Sequence, residues 1–246
     1  MDPACLHSML CTGLQRVRPG APATVILCAV LLTGCGGSST SSNHEASKRA
    51  AQILTDTRNA AQAAQTVHYV GTIAQSGQRI HIDLHLVAGR GGAGTLAIGM
   101  RTIQIVRIGK KAYFKGSAAF YRSVGAGAAA QLLQGRWLEA PAHSGPLASF
   151  TPLTDMSTFF NLTGARAVKK ADVSKGAETT VDGQEVIPLR AAKSGTLYVA
   201  ATGTPYPVEV TKPSGGWSGA LHFDQWNAKV NLVAPKNTVD ISKLTG

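Results

Sequence analysis

The chain has 246 residues, 44% hydrophobic and 15% charged, with 24 Lys and Arg against 13 Asp and Glu and a net charge of +11. That length suits one domain able to bury roughly 70% of its unfolded surface. A basic surface favours anionic partners, but the basic residues are scattered and no basic run carries interleaved aromatics, which excludes nucleic acid.

The N-terminus reads as an export leader. Arg16 and Arg18 give a positive flank, and Ala21 to Leu32 is apolar except for Pro22 and Thr24. That run of about twelve residues fits a signal h-region and falls short of the ~20 a spanning helix needs. It ends in Leu32-Thr33-Gly34-Cys35. Small residues ahead of the cysteine let the backbone enter a peptidase groove, the thiol accepts a diacylglyceryl group, and cleavage follows at its amine. The motif resembles a bacterial lipobox. Residues 1–34 are therefore expected to be a lipoprotein signal peptide, starting at Met1 or Met9. Cys35 is expected to carry covalent diacylglycerol, with or without an N-acyl chain, and to hold the protein on the extracytoplasmic face of the cell membrane. Two acyl chains give stable residence where one is marginal. Of the four cysteines, Cys5, Cys11 and Cys28 lie in the discarded leader. No disulfide can then form within one mature chain, and no free thiol remains for catalysis or metal binding.

Residues 35–42 read as the lipidated cysteine and a Gly/Ser tether that sets the domain roughly 15 Å from the bilayer. The domain is expected over 43–246. Residues 43–65 have helical spacing, with Ala50, Ile53, Leu54, Thr57, Ala61 and Ala64 on one face and Ser42 and Glu45 at capping-box spacing. From Val67 the period becomes two. Val67–Ala74, the turn Ser76-Gly77 and Arg79–Val87 form a hairpin, in which Ile80, Ile82, Leu84 and Leu86 point one way and His81, Asp83 and His85 the other. Gly89–Gly94 reads as a turn. Strands follow at Thr95–Gly99, Ile103–Ile108 and Ala112–Lys115, antiparallel because the connections are short. Ser117–Leu133 is expected to be partly helical, and Leu147–Leu162 helical with Leu153, Met156, Phe159 and Phe160 on its apolar face. Strands resume at Ala165–Ala171. Glu178–Val181 and Gln184–Arg190 form a hairpin about Asp182-Gly183. Thr196–Ala201, Tyr206–Thr211, Trp217–Phe223 and Lys229–Val233 complete a series of about eleven strands. One antiparallel series of that size twists and curls. The fold class is α+β, a single strongly curved antiparallel sheet with helices on its concave side.

Five segments carry a family resemblance. They are Ile105-Val106-Arg107-Ile108-Gly109, Tyr113-Phe114-Lys115, Gly135-Arg136-Trp137-Leu138, Val181-Asp182-Gly183-Gln184-Glu185-Val186, and Thr202-Gly203-Thr204-Pro205-Tyr206-Pro207-Val208. In this order, over roughly residues 45–235, they resemble the LppX/LprG family of actinobacterial lipoproteins, which shares a fold with the LolA/LolB carriers. The resemblance implies a half-open barrel closed by helices. It also implies an apolar cavity holding a long-chain lipid or lipoglycan that the protein helps carry outward. Ile80, Ile82, Leu84, Leu86, Leu153, Met156, Phe159 and Phe160 are then either cavity lining or ordinary core.

Other motifs point to little chemistry. His81-Ile82-Asp83-Leu84-His85 places three metal-ligand types on one strand face about 7 Å apart, too far for one ion on a straight strand. A solvated face, and no metal, is the expectation. Arg90-Gly91-Gly92-Ala93-Gly94 lacks the following helix that a phosphate loop needs. Asn161-Leu162-Thr163 matches a glycosylation sequon, of little meaning in a bacterial lipoprotein. There is no Gly-x-Ser-x-Gly, Ser-x-x-Lys or His-Glu-x-x-His, so no catalytic residue and no dissociable cofactor are expected. The sequence thus describes a monomeric, membrane-anchored lipid carrier. The rival is a non-catalytic interaction or sensing module at the cell surface with a solid core.

Overall fold

The computed structural model describes residues 41–123, 127–144, 148–157, 172–192 and 195–241. Cys35 and the leader lie outside these residues, as do the strand expected at Ala165–Ala171 and the positions Phe159 and Phe160.

The helix expected over 43–65 is α1 (Ala50–Ala63), preceded by a 3-10 turn at Glu45–Ser47. Ile53, Leu54, Thr57 and Ala61 are its buried positions, the face given by the helical spacing. The expected capping box is replaced. Asn43 Oδ1 accepts from the Glu45 amide at 3.0 Å, and the buried Glu45 carboxylate instead meets Lys48 Nζ at 2.6 Å. A short polar side chain two residues ahead satisfies the turn, which leaves Glu45 for an ion pair.

Strands β1 (Thr66–Gln75), β2 (Gln78–Val87), β3 (Gly91–Ile98), β4 (Arg101–Ile108), β5 (Lys111–Gly116) and β6 (Leu138–Pro141) form one antiparallel meander. Between the last two lie α2 (Ala118–Ser123) and α3 (Ala130–Leu133), the partly helical middle. The second half supplies β7 (Val173–Lys175), β8 (Thr179–Val181), β9 (Gln184–Ala191), β10 (Gly195–Ala200), β11 (Pro207–Lys212), β12 (Ser218–Asp224) and β13 (Val239–Asp240). All thirteen belong to one sheet, in the order β13-β6-β5-β4-β3-β2-β1-β12-β11-β10-β9-β7, with β8 also on β9. Pairing is antiparallel except between β13 and β6. The sheet is not closed and not strongly curled. Strands β6, β7 and β13, of four, three and two residues, were not expected because such short strands show no clear period of two.

Three further expectations change. Gly91–Gly94 is strand, and the turn retreats to 88–90. Gly91 (φ 137°) and Gly94 (φ 156°) let the neighbouring strands come so close that a Cβ would stand 2.0 Å from Arg107 O and 2.0 Å from Asp83 O respectively. Only glycine fits there. The start of the expected helix Leu147–Leu162 is a 3-10 segment, Ala148–Thr154, with Pro152 inside it. Proline has no N–H to donate to an α-helical ladder, and the Thr151 and Thr154 hydroxyls bond back to Ala142 O and Thr151 O instead. Lys229–Val233 carries no strand ladder. It follows a tight turn in which the Asn227 amide donates to Thr66 O and Thr66 Oγ1 to Ala228 O.

One face of the sheet is apolar. Val67, Tyr69, Leu84, Leu86, Leu96, Ile103, Ile105, Phe114, Leu138, Leu221 and Phe223 join Ala61 of α1 and Ala64 just after it in the main core. The N-terminal half of α1 packs Ile53 and Leu54 against Ile187, Leu189 and Val199 of β9 and β10. Among the described residues no helix is long and apolar enough to cross a membrane.

Candidate functional site

On the apolar face, β2 and β3 are complementary. Leu84 stands opposite Gly94 and Leu86 opposite Gly92. The two glycines leave a lane over β3 that the leucines and the 3-10 segment occupy. A Cβ at Gly92 would meet Leu86 Cδ2 at 2.7 Å and Thr154 O at 3.4 Å. The 3-10 segment is thus laid directly on the sheet.

Two buried polar side chains hold it there. Tyr69, fully buried on β1, donates its hydroxyl to Leu153 O at 2.8 Å. Burial pushes its phenol far above the ordinary range, so it remains a donor at any working pH. Arg107, buried on β4, donates from Nε to Thr154 Oγ1 at 3.0 Å and from Nη2 to Thr154 O at 3.0 Å. Nη2 also meets Asp155 Oδ2 at 3.1 Å, and Nη1 donates to Gly109 O at 3.3 Å. Phe150 packs edge-on against Phe114 and Phe120. The basic group Arg107–Lys111 is therefore not all surface. The inward alternation Ile103, Ile105, Arg107 was the signal that Arg107 turns toward the core.

Beyond this clasp lies a pocket of about 400 Å³ between Ala61 and Gln62 of α1, Ala64 just after it, the Ala88–Gly89 turn, and Asp155, Met156 and Ser157. Of the residues named from sequence as core or lining, Met156 borders this pocket. Ile82, Leu84 and Leu86 are buried in the adjoining core, with Ile80 and Leu153 packed partly buried against it. The structure thus brings these six to one apolar face. Phe159 and Phe160 lie outside the described residues.

The opposite face is polar and carries a cluster drawn from three strands. The hairpin register sets His68 against His85, and β12 sets Asp224 against His68. The His68 and His85 rings stack at 4.2 Å between centroids. His68 Nδ1 lies 2.6 Å from Asp224 Oδ1, and its Nε2 lies 3.1 Å from Asp83 Oδ1. His85 Nε2 is 3.3 Å from Gln225 Oε1. His81 stays apart, paired with Thr72. The two-residue turn Ser76-Gly77 was the available signal, since counting back along both strands from it places His68 opposite His85. Along the same face Glu209 pairs in register with His222, whose Nδ1 is 3.5 Å from Asp182 Oδ2. Burial raises the Glu209 carboxyl above its ordinary value, with His222 opposing and Asp182 adding to the shift.

No protein-family profile matches the chain, and no curated protein does. Solved structures do. The chain is similar to LprF from Mycobacterium bovis at TM-score 0.49 and 14% identity, covering 76% of this chain and 96% of that one. It is similar to the lipoprotein LppX from Mycobacterium tuberculosis at TM-score 0.48 and 14% identity, covering 75% and 98%. A DUF1329 family protein from Desulfovibrio piger matches at TM-score 0.24 and 11% identity, covering 74% and 93%. The two mycobacterial structures each align with about three quarters of this chain.

Proposed function

We propose that this protein is an extracytoplasmic lipoprotein, anchored through diacylglycerol on Cys35, that binds a lipid or lipoglycan on the apolar face of its sheet and helps carry it outward. The observation that carries the reading is the pocket bordered by Met156. It lies at the edge of the apolar core, where α1 and the end of the 3-10 segment part. Its volume of about 400 Å³ lies within the ~300–1,000 Å³ typical of ligand sites. Acyl chains would enter there and advance along the face formed by Ile80, Ile82, Leu84, Leu86 and Leu153. Each methylene withdrawn from water contributes roughly 0.8 kcal/mol. The polar head would stay at the mouth beside Gln62, Asp155 and Ser157. No bond-breaking chemistry is part of this role.

A second reading has a specific observation in its favour. Leu84, Leu86 and Ile105 have no exposed surface, as in a filled core. A surface interaction module with a solid interior would look the same at these positions. Solvent extraction of the purified full chain, followed by mass spectrometry, separates the two. Long-chain lipid in stoichiometric amount supports the carrier, provided Met156→Glu loses it without unfolding. Lipid-free protein that also takes up no added fluorescent fatty acid sinks the carrier and leaves the module. Anchoring is tested separately: labelled palmitate should enter the wild type and not Cys35→Ser.

A further inference from the structure

We propose that His68, Asp83 and His85 form a binding site for a divalent transition-metal ion of the zinc class on the polar face of the sheet, with Asp224 and Gln225 holding the two imidazoles from behind. One donor atom from each of the three lies within 4.8 Å of the others. The strand ladders place them, since His68 faces His85 directly and Asp83 diagonally across β1 and β2.

The hydrogen-bond chemistry of His68 is the strongest argument. Its two ring nitrogens face two different carboxylate oxygens, at 2.6 Å toward Asp224 and 3.1 Å toward Asp83. A neutral imidazole has one N–H and one lone pair. With the proton on the shorter, Asp224 side, the Nε2 lone pair points at an Asp83 oxygen, acceptor against acceptor. A cation between them turns that repulsion into two metal–ligand bonds. A carboxylate behind a ligating histidine also fixes the tautomer and strengthens the ligand. His85 repeats the arrangement, because Gln225 Oε1 faces its Nε2 and leaves Nδ1 for the ion.

Two imidazoles and one carboxylate suit borderline ions, Zn²⁺ above all, with Cu²⁺ and Ni²⁺ as competitors. Mg²⁺ and Ca²⁺ prefer oxygen alone. Zinc bonds of 2.0–2.1 Å put neighbouring tetrahedral donors about 3.3 Å apart, so the cluster must tighten. Asp83, with its side chain 51% exposed, is free to turn, and the ring planes, now 22° apart, open as their lone pairs converge. The fourth position faces solvent. Beside it a recess of about 410 Å³ is lined by His85, Ala93, Gln225 and Lys229 among others. Ala93, opposite His85 in the ladder, leaves that side unobstructed.

The test uses the full chain without a polyhistidine tag, dialysed against zinc chloride and analysed for bound metal. One zinc per chain is expected. His68→Gln, His85→Gln and Asp83→Asn should each weaken binding at least about tenfold, while His81→Gln, on the same strand face, leaves it unchanged. Nitrogen-15 spectra of the histidine side chains should show zinc-dependent shifts at His68 and His85. Retention of no zinc overturns the proposal, including the case in which His68 carries a proton on both nitrogens between the carboxylates. So does undiminished zinc binding by the double variant His68→Gln/His85→Gln, whose folding is checked by circular dichroism.

Discussion

Replacing Arg107 with Met isolates the clasp that holds the 3-10 segment to the sheet. Methionine fills nearly the same volume, so little packing is lost. What goes is a set of donors. Thr154 is wholly buried, and its carbonyl would lose the Nη2 donor 3.0 Å away. A buried acceptor left unsatisfied costs about 1–3 kcal/mol. Asp155 is a third exposed and can recover water, so its ion pair adds only about 0–1 kcal/mol. The sum, about 1–4 kcal/mol, corresponds to a fall in Tm of roughly 2–16 °C for a domain of this size. Because the bonds from Nε and Nη2 end on Thr154 and Asp155, hydrogen exchange should accelerate in peptides covering residues 148–157 more than in those covering β9 or β10. Arg107→Lys should recover only part of the loss, since a compact ammonium lacks the planar fork of donors that spans Thr154 Oγ1, Thr154 O and Asp155. If Arg107→Met melts with the wild type and exchanges no faster over 148–157, the guanidinium does not hold the segment.

Three further outcomes are expected. Gly94→Ala should lower Tm or abolish folding, because its Cβ would stand 2.0 Å from Asp83 O at a φ of 156°; a variant as stable as the wild type would refute the close approach of β2 and β3. Tyr69→Phe should cost about 1 kcal/mol by removing the donor to Leu153 O, measured by urea unfolding, and equal midpoints would count against that bond. Glu209 carries a raised carboxyl, so the native state holds its proton longer than the unfolded chain does. Its contribution to stability is complete below the unfolded value and falls as pH rises through the folded one. The Tm of Glu209→Gln relative to wild type should therefore climb as pH rises past the ordinary carboxylate value of about 4, and a flat difference would remove burial as the cause.

The parts of the fold that were legible in the sequence share a physical basis. Strong alternation in Arg79–Val87 and the Ser76-Gly77 turn determine the first hairpin, and helical spacing marks the buried face of α1. Glycines misled where they serve close approach rather than turning, as in Gly91–Gly94. Pro152 stands inside the expected helix and was the warning that its first turns would be 3-10. Of the site, individual residues were visible but not their meetings. His81, Asp83 and His85 were seen on one strand, whereas His68 joins them only through register, and Asp224 only through pairing between strands from opposite ends of the chain. The alternation Ile103, Ile105, Arg107 points the guanidinium inward, but an arginine at such a position gives no sign of its partners.

The ladder between β1 and β12 joins residues near 70 to residues near 220. As the chain is synthesised, the N-terminal meander can assemble early from local hairpins, but the free side of β1 must wait until the residues of β12 have appeared. Through that interval a ten-residue strand presents unpaired amides and carbonyls, the template on which neighbouring copies aggregate. The late strand is thus a kinetic bottleneck. A chain truncated before Ser218 should sediment with aggregates even though most of its hairpins are intact.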